Sequence, residues 1–198
     1  VPVHPIPRFP QTLNFIVSTL LMLALAGSVR AEDWPGFLGP RRDGTSKETG
    51  VITRWGNNGP AIAWQRAVGE GFAGVAVAGN RAILFHRVGN QEVVECLAAD
   101  SGKSEWKSAY ETSFEDNFGK GNGPRSTPQI AGNRVVTLGA DGKLTVFELD
   151  TGRKLWALDL VAEYRVPASF FGVGTSPLVD DGRVLINAGG KAAGIVAL

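Results

Sequence analysis

Asp100-Ser101-Gly102-Lys103-Ser104-Glu105-Trp106 returns, every position shifted by 50, as Asp150-Thr151-Gly152-Arg153-Lys154-Leu155-Trp156. Each copy follows an apolar run that reads as a strand. The shared pattern is Asp-[Ser/Thr]-Gly-[Lys/Arg]-x-x-Trp. A repeat of this period marks a supersecondary unit that stacks on copies of itself.

A second pair lies between these copies. Thr127-Pro128-Gln129-Ile130 followed by Asn133-Arg134-Val135-Val136 matches Ser176-Pro177-Leu178-Val179 followed by Gly182-Arg183-Val184-Leu185, at an offset of 49. Residues 75–84 form a weaker first copy. Gly79-Asn80, Gly132-Asn133, Asp141-Gly142 and Asp181-Gly182 are hairpin-turn pairs, because Gly, Asn and Asp tolerate positive φ. In the Asp-[Ser/Thr]-Gly turn, a side-chain oxygen faces backbone N–H groups two residues on, and Gly takes the left-handed conformation. The Trp then falls on an outer strand, where its ring fills the wedge between neighbouring sheets.

The unit is therefore a four-stranded antiparallel blade, and stacked blades form a β-propeller. Strands are expected near 74–78, 81–87, 92–98 and 104–109, then near 127–131, 134–139, 143–149 and 154–160. A third set is expected near 176–179, 183–188 and 194–198. Residues 69–110 make the first blade, 123–161 the second and 172–198 an incomplete third. Residues 61–68, with Trp64, read as an orphan outer strand, and 32–60 as an extended N-terminal segment. About two and a half blades are fewer than the four to eight of a closed wheel, so the expectation is a fragment whose C-terminal blades are missing.

Residues 15–26 carry no charge and follow Arg8, and Val29 and Ala31 stand at small-residue cleavage positions. This order reads as a signal peptide over 1–31, and a run this short does not suit a membrane span. Ser28 stands where a lipoprotein would carry its cysteine. The expected location is the periplasm or the exterior, without a lipid anchor. The net charge of +1 offers no strong pull toward nucleic acid.

The Asp-[Ser/Thr]-Gly-[Lys/Arg]-x-x-Trp repeats resemble the pyrroloquinoline-quinone (PQQ)-like propeller repeat. The stretch 33–44, Asp-Trp-Pro-Gly-Phe-Leu-Gly-Pro-Arg-Arg-Asp-Gly, looks like the mature start of exported proteins with such repeats. The resemblance implies an all-β, eight-bladed, quinoprotein-like wheel. It also implies one of two functions: an interaction scaffold similar to outer-membrane assembly factors, with exported or outer-membrane proteins as partners, or an alcohol dehydrogenase holding PQQ and calcium, with its cofactor site mostly in the missing blades. The dehydrogenase branch places adjacent cysteines over the quinone, whereas this chain has one cysteine, Cys96. No catalytic, cofactor or metal residue carries over. Asp100, Ser101, Gly102, Trp106, Asp150, Thr151, Gly152 and Trp156 are read as structural.

Outside the repeat motif, Arg125 stands out as a channel or rim contact, because it precedes Ser-Thr-Pro on a long polar loop. The competing reading is a loop staple bonding backbone carbonyls. Glu115 and Asp116 read as solvated loop charge, and His86 as a structural strand residue. Gly69-Glu70-Gly71-Phe72-Ala73-Gly74 satisfies GxGxxG but precedes another strand instead of a helix, so it does not read as a nucleotide loop.

Overall fold

The computed structural model describes residues 31–119, 121–166, 171–190 and 193–198. The expected signal peptide lies outside these, apart from Ala31. Three antiparallel sheets follow one another along the chain. The first contains β1 (Ala76–Ala78), β2 (Arg81–Val88), β3 (Gln91–Ala98) and β4 (Ser104–Glu111), paired in that order. The second contains β5 (Gln129–Ala131), β6 (Arg134–Leu138), β7 (Lys143–Glu148) and β8 (Lys154–Asp159), again in order. The third pairs β9 (Leu178–Asp180), β10 (Arg183–Asn187) and β11 (Ile195–Ala197). These are successive blades of a partial propeller.

The turn residues account for the hairpins. Asp181 and Gly182 both take positive φ, 45° and 73°, as a two-residue turn matched to strand twist requires. The repeat extends to an irregularity in pairing. The ladder shifts register between Cys96 and Leu97 where β3 meets β4, and between Val146 and Phe147 where β7 meets β8. In each case the residue before the shift pairs with the motif Trp: Cys96 with Trp106, and Val146 with Trp156.

Both faces of β6 and β7 are buried, whereas β8 is largely exposed, and strand alternation divides the side chains of β6 and β7 between two cores. Val135 and Phe147 join Ile83, Phe85, Val94 and Cys96 of the first sheet. Val136, Leu138, Leu144 and Val146 join Val184, Ile186 and Val196 of the third. Burying a side chain such as Phe147 contributes about 1.5–3 kcal/mol. β1 lies beside β5, and β5 beside β9, so these first strands form the inner, channel-side edge of the arc.

Three features differ from the sequence expectation. A short helix, α1 (Leu160–Tyr164), follows β8; Asp159 accepts from Ala162 N at 3.0 Å as its cap, and Leu160 turns into the second core. Residues 61–69 lie outside any ladder. Within 32–60, the chain turns tightly at residues 36–44 instead of staying extended, with Leu38, Gly39, Arg42 and Gly44 at positive φ.

Candidate functional site

The motif residues meet across blade boundaries. Gly102 and Gly152 sit at φ 67° and 69°, and each N–H closes its turn onto a carbonyl, Ala98 O at 2.8 Å and Glu148 O at 2.9 Å. Thr151 Oγ1 accepts from Arg153 N at 3.2 Å. Asp150 instead reaches Arg81 of the first blade, at 2.6 Å, and Asp100 N donates to Asn80 Oδ1. The Trp106 ring covers Gly152, and its Nε1–H donates to Leu149 O at 2.7 Å. Trp64 repeats this arrangement one blade earlier: its ring covers Gly102, and Nε1–H donates to Ala99 O at 2.9 Å. Trp64 thus holds the outer-Trp position without belonging to a sheet. Trp156 lines a cavity of about 500 Å³ with Val136, Val146, Val179 and Val184.

The loops at the end where β1, β5 and β9 begin form the candidate site. Arg125 is held there by loop groups. Its guanidinium donates to Gly121 O at 2.7 Å and to Gly123 O, and pairs with Asp116 at 3.5 Å. It also lies over the rings of Phe114 and Phe72, 4.6 and 5.4 Å from their centroids. Burial lowers its pKa from the ordinary value, while Asp116 and Glu92 act in the opposite direction. The Asp116 side chain is buried, which corrects the solvated reading: its carboxylate orders the loop by facing Arg125 and accepting from Phe118 N at 2.9 Å. Glu115 is exposed.

Around this staple the loops present large apolar rings to solvent. Phe72, Phe118 and Phe171 are 59%, 52% and 56% exposed, and Phe118 and Phe171 meet at 5.5 Å. Phe72 and Arg125 also line a hollow of about 450 Å³ with Phe37, Leu38, Thr127 and Ser176. A second hollow, about 610 Å³, is lined by Glu111, Glu115, Asp141 and Asp159 with Arg87 and Lys143. Both bases have nearby partners. Arg87 donates to Gly89 O and Asn122 O, and Lys143 donates to Glu111 O and lies over the Tyr110 ring.

Two buried acids escaped the sequence reading, although charged positions inside the apolar run of β3 were their signal. Glu92 accepts from Ala140 N of the second blade at 2.9 Å, and burial raises its pKa. Glu95 is fully buried on the opposite face of β3. Arg66 lies at 2.9 Å, Lys107 at 3.3 Å and His86 Nε2 at 3.8 Å. Burial alone would raise the Glu95 pKa, but Ser104, Lys107 and Arg66 hold it below the ordinary value. His86 is buried, and its Nδ1 accepts from Gly69 N at 2.8 Å. The GxGxxG stretch is tied to β2 by Glu70–Arg87 backbone pairing. Among the described residues, no three His, Cys, Asp or Glu side chains gather as a metal site.

Europium-containing methanol dehydrogenase is similar in fold, with a TM-score of 0.55 and 16% identity over 85% of this chain and 29% of that one. Quinohemoprotein alcohol dehydrogenase from Comamonas testosteroni gives 0.54 and 18%, over 83% and 24%. BamB from Moraxella catarrhalis gives 0.41 and 21%, over 58% and 30%. The chain spans less than a third of the length of each of these proteins. No curated protein matches the sequence. The family described as outer membrane protein assembly factor BamB matches residues 48–198. With its Trp-on-Gly blade contacts and stacked four-stranded sheets, the chain belongs to the BamB family.

Proposed function

We propose that the chain is part of an exported, periplasmic scaffold that holds other exported or outer-membrane proteins by its loop rim. The observation that carries this reading is the exposure of three loop rings, Phe72 against the Arg125 guanidinium and Phe118 against Phe171. Exposed rings on a stiff support gain contact area at low entropic cost and mark interaction surfaces. The test is titration of an unfolded outer-membrane barrel protein against the chain and its Phe72→Ala/Phe171→Ala variant. The reading predicts at least about tenfold weaker binding by the variant, with an unchanged melt. Equal binding by both would contradict it.

A PQQ-dependent alcohol dehydrogenase is the second reading, favoured by the likeness in fold to a methanol dehydrogenase and a quinohemoprotein alcohol dehydrogenase. The residues present do not fit that cofactor. The single cysteine, Cys96, is buried between the first two blades, with its thiol pushed up to about 12. No adjacent cysteine pair can therefore stand over a quinone in these blades. Saturable PQQ absorbance changes in the presence of Ca²⁺ would revive this reading.

A further inference from the structure

The stretch 33–44 is the motif that neither function uses, and its contacts follow a single line. Trp34 exchanges both backbone hydrogen bonds with Val77 of β1, each 2.8 Å. Asp33 Oδ1 accepts from Gly79 N at 2.8 Å, next to the end of β1. Pro35 O accepts from Ile130 N of β5 at 2.7 Å. Arg42 donates to Val179 O of β9 at 3.1 Å. One short segment thus meets the first strand of all three blades in order, on groups their own sheets leave unpaired.

The residue types suit this path. Pro35 has no N–H of its own to satisfy, so its peptide can run along an edge and offer only its carbonyl. Gly39 takes φ 77° under the Trp34 ring, where a Cβ would collide with the indole. Gly44 N closes the turn onto Leu38 O at 3.0 Å. Inner strands of three residues bury little by themselves, and their free edges are a pairing hazard.

We propose that residues 33–42 form a strap docked along the channel-side edges of three successive blades, closing those edges to any other strand or ligand. The strap is a strand addition made within the chain, by the backbone logic that otherwise serves peptide recognition.

Amide hydrogen exchange on the whole chain tests this. The strap predicts slow exchange at Val77, Gly79 and Ile130. In Gly39→Val, which drives a side chain into Trp34, these three amides should speed up by about tenfold or more while Val94 and Cys96 stay protected. Asp33→Ala is the milder variant and should release Gly79 alone, which keeps the test decisive if Gly39→Val does not fold. Fast exchange at these amides in the parent chain, or no change at Gly79 in Asp33→Ala, would overturn the proposal.

Discussion

The indole of Trp106 lies on the α-carbon of Gly152 in the next blade, with its N–H on Leu149 O. The same turn needs Gly for two reasons, its left-handed φ and the absence of a Cβ under the ring. Gly152→Ala is therefore expected to cost more than Gly132→Ala, a turn at φ 55° with open space around it. About 1 kcal/mol of strain is expected at Gly132, and about 2–4 kcal/mol at Gly152, where overpacking adds to it. Urea unfolding of both variants measures the difference; equal costs would contradict the docking.

Trp106→Ala removes the ring from the blade wedge and is expected to cost about 3–5 kcal/mol. Trp106→Phe keeps an aromatic ring but leaves Leu149 O without its donor, so it should fall between, at about 1–2 kcal/mol. A Phe variant as unstable as the Ala variant would show that the indole's shape, more than its N–H, sets the contact.

Stability should depend on pH through His86. Burial holds its pKa below the ordinary 6.5, and Lys107 and Arg66 add to that, against Glu95, which acts to raise it. The geometry agrees, since Gly69 N–H donates into Nδ1 and a second proton there would set donor against donor. The unfolded chain thus binds the proton first. The contribution of His86 is present above the ordinary histidine pKa of 6.5 and is lost as pH falls through the lower folded value. His86→Gln should flatten this slope in urea midpoints measured between about pH 7.5 and pH 5. An unchanged slope would assign it elsewhere.

Arg66 and Lys107 offset the buried Glu95 charge. Arg66→Ala leaves that carboxylate with the more exposed lysine and is expected to cost about 1–3 kcal/mol. Glu95→Gln in the same background should recover part of the loss, because it removes a buried charge left with only the exposed Lys107 to offset it. A double-mutant cycle reads the coupling directly, and a coupling of zero would contradict the account.

The Cys96 thiol, buried and held near 12 by desolvation with Glu105 beside it, should react with alkylating reagents only as fast as the chain opens. The rate is expected to rise in step with the urea-unfolded fraction. Rapid labelling of folded chain would contradict the burial.

The hairpins were legible in the sequence because their turns hold residues at positive φ, Gly79 between β1 and β2 and Asp181-Gly182 between β9 and β10. The fifty-residue offset then assembled them into blades. α1 was not legible, because Asp159 reads as the end of a strand until its carboxylate is seen capping Ala162. Trp64 was recognised as an outer-strand residue, but Gly102 as its support was not, since no local pattern links the two. At the candidate site Arg125 stood out as a loop residue, whereas the Phe72 and Phe114 rings beside its guanidinium come from separate segments brought together only by folding. The strap left its residues visible as a motif and its purpose hidden, because its partners are backbone groups of β1, β5 and β9.

Exchange of the indole N–H protons, resolved by NMR for the five tryptophans, tests blade-to-blade docking most directly. The account predicts slow exchange for Trp64 and Trp106 and fast exchange for the exposed Trp55, with Gly152→Ala releasing Trp106 and leaving Trp64 protected. Equally fast exchange at Trp106 and Trp55 in the parent chain would contradict it.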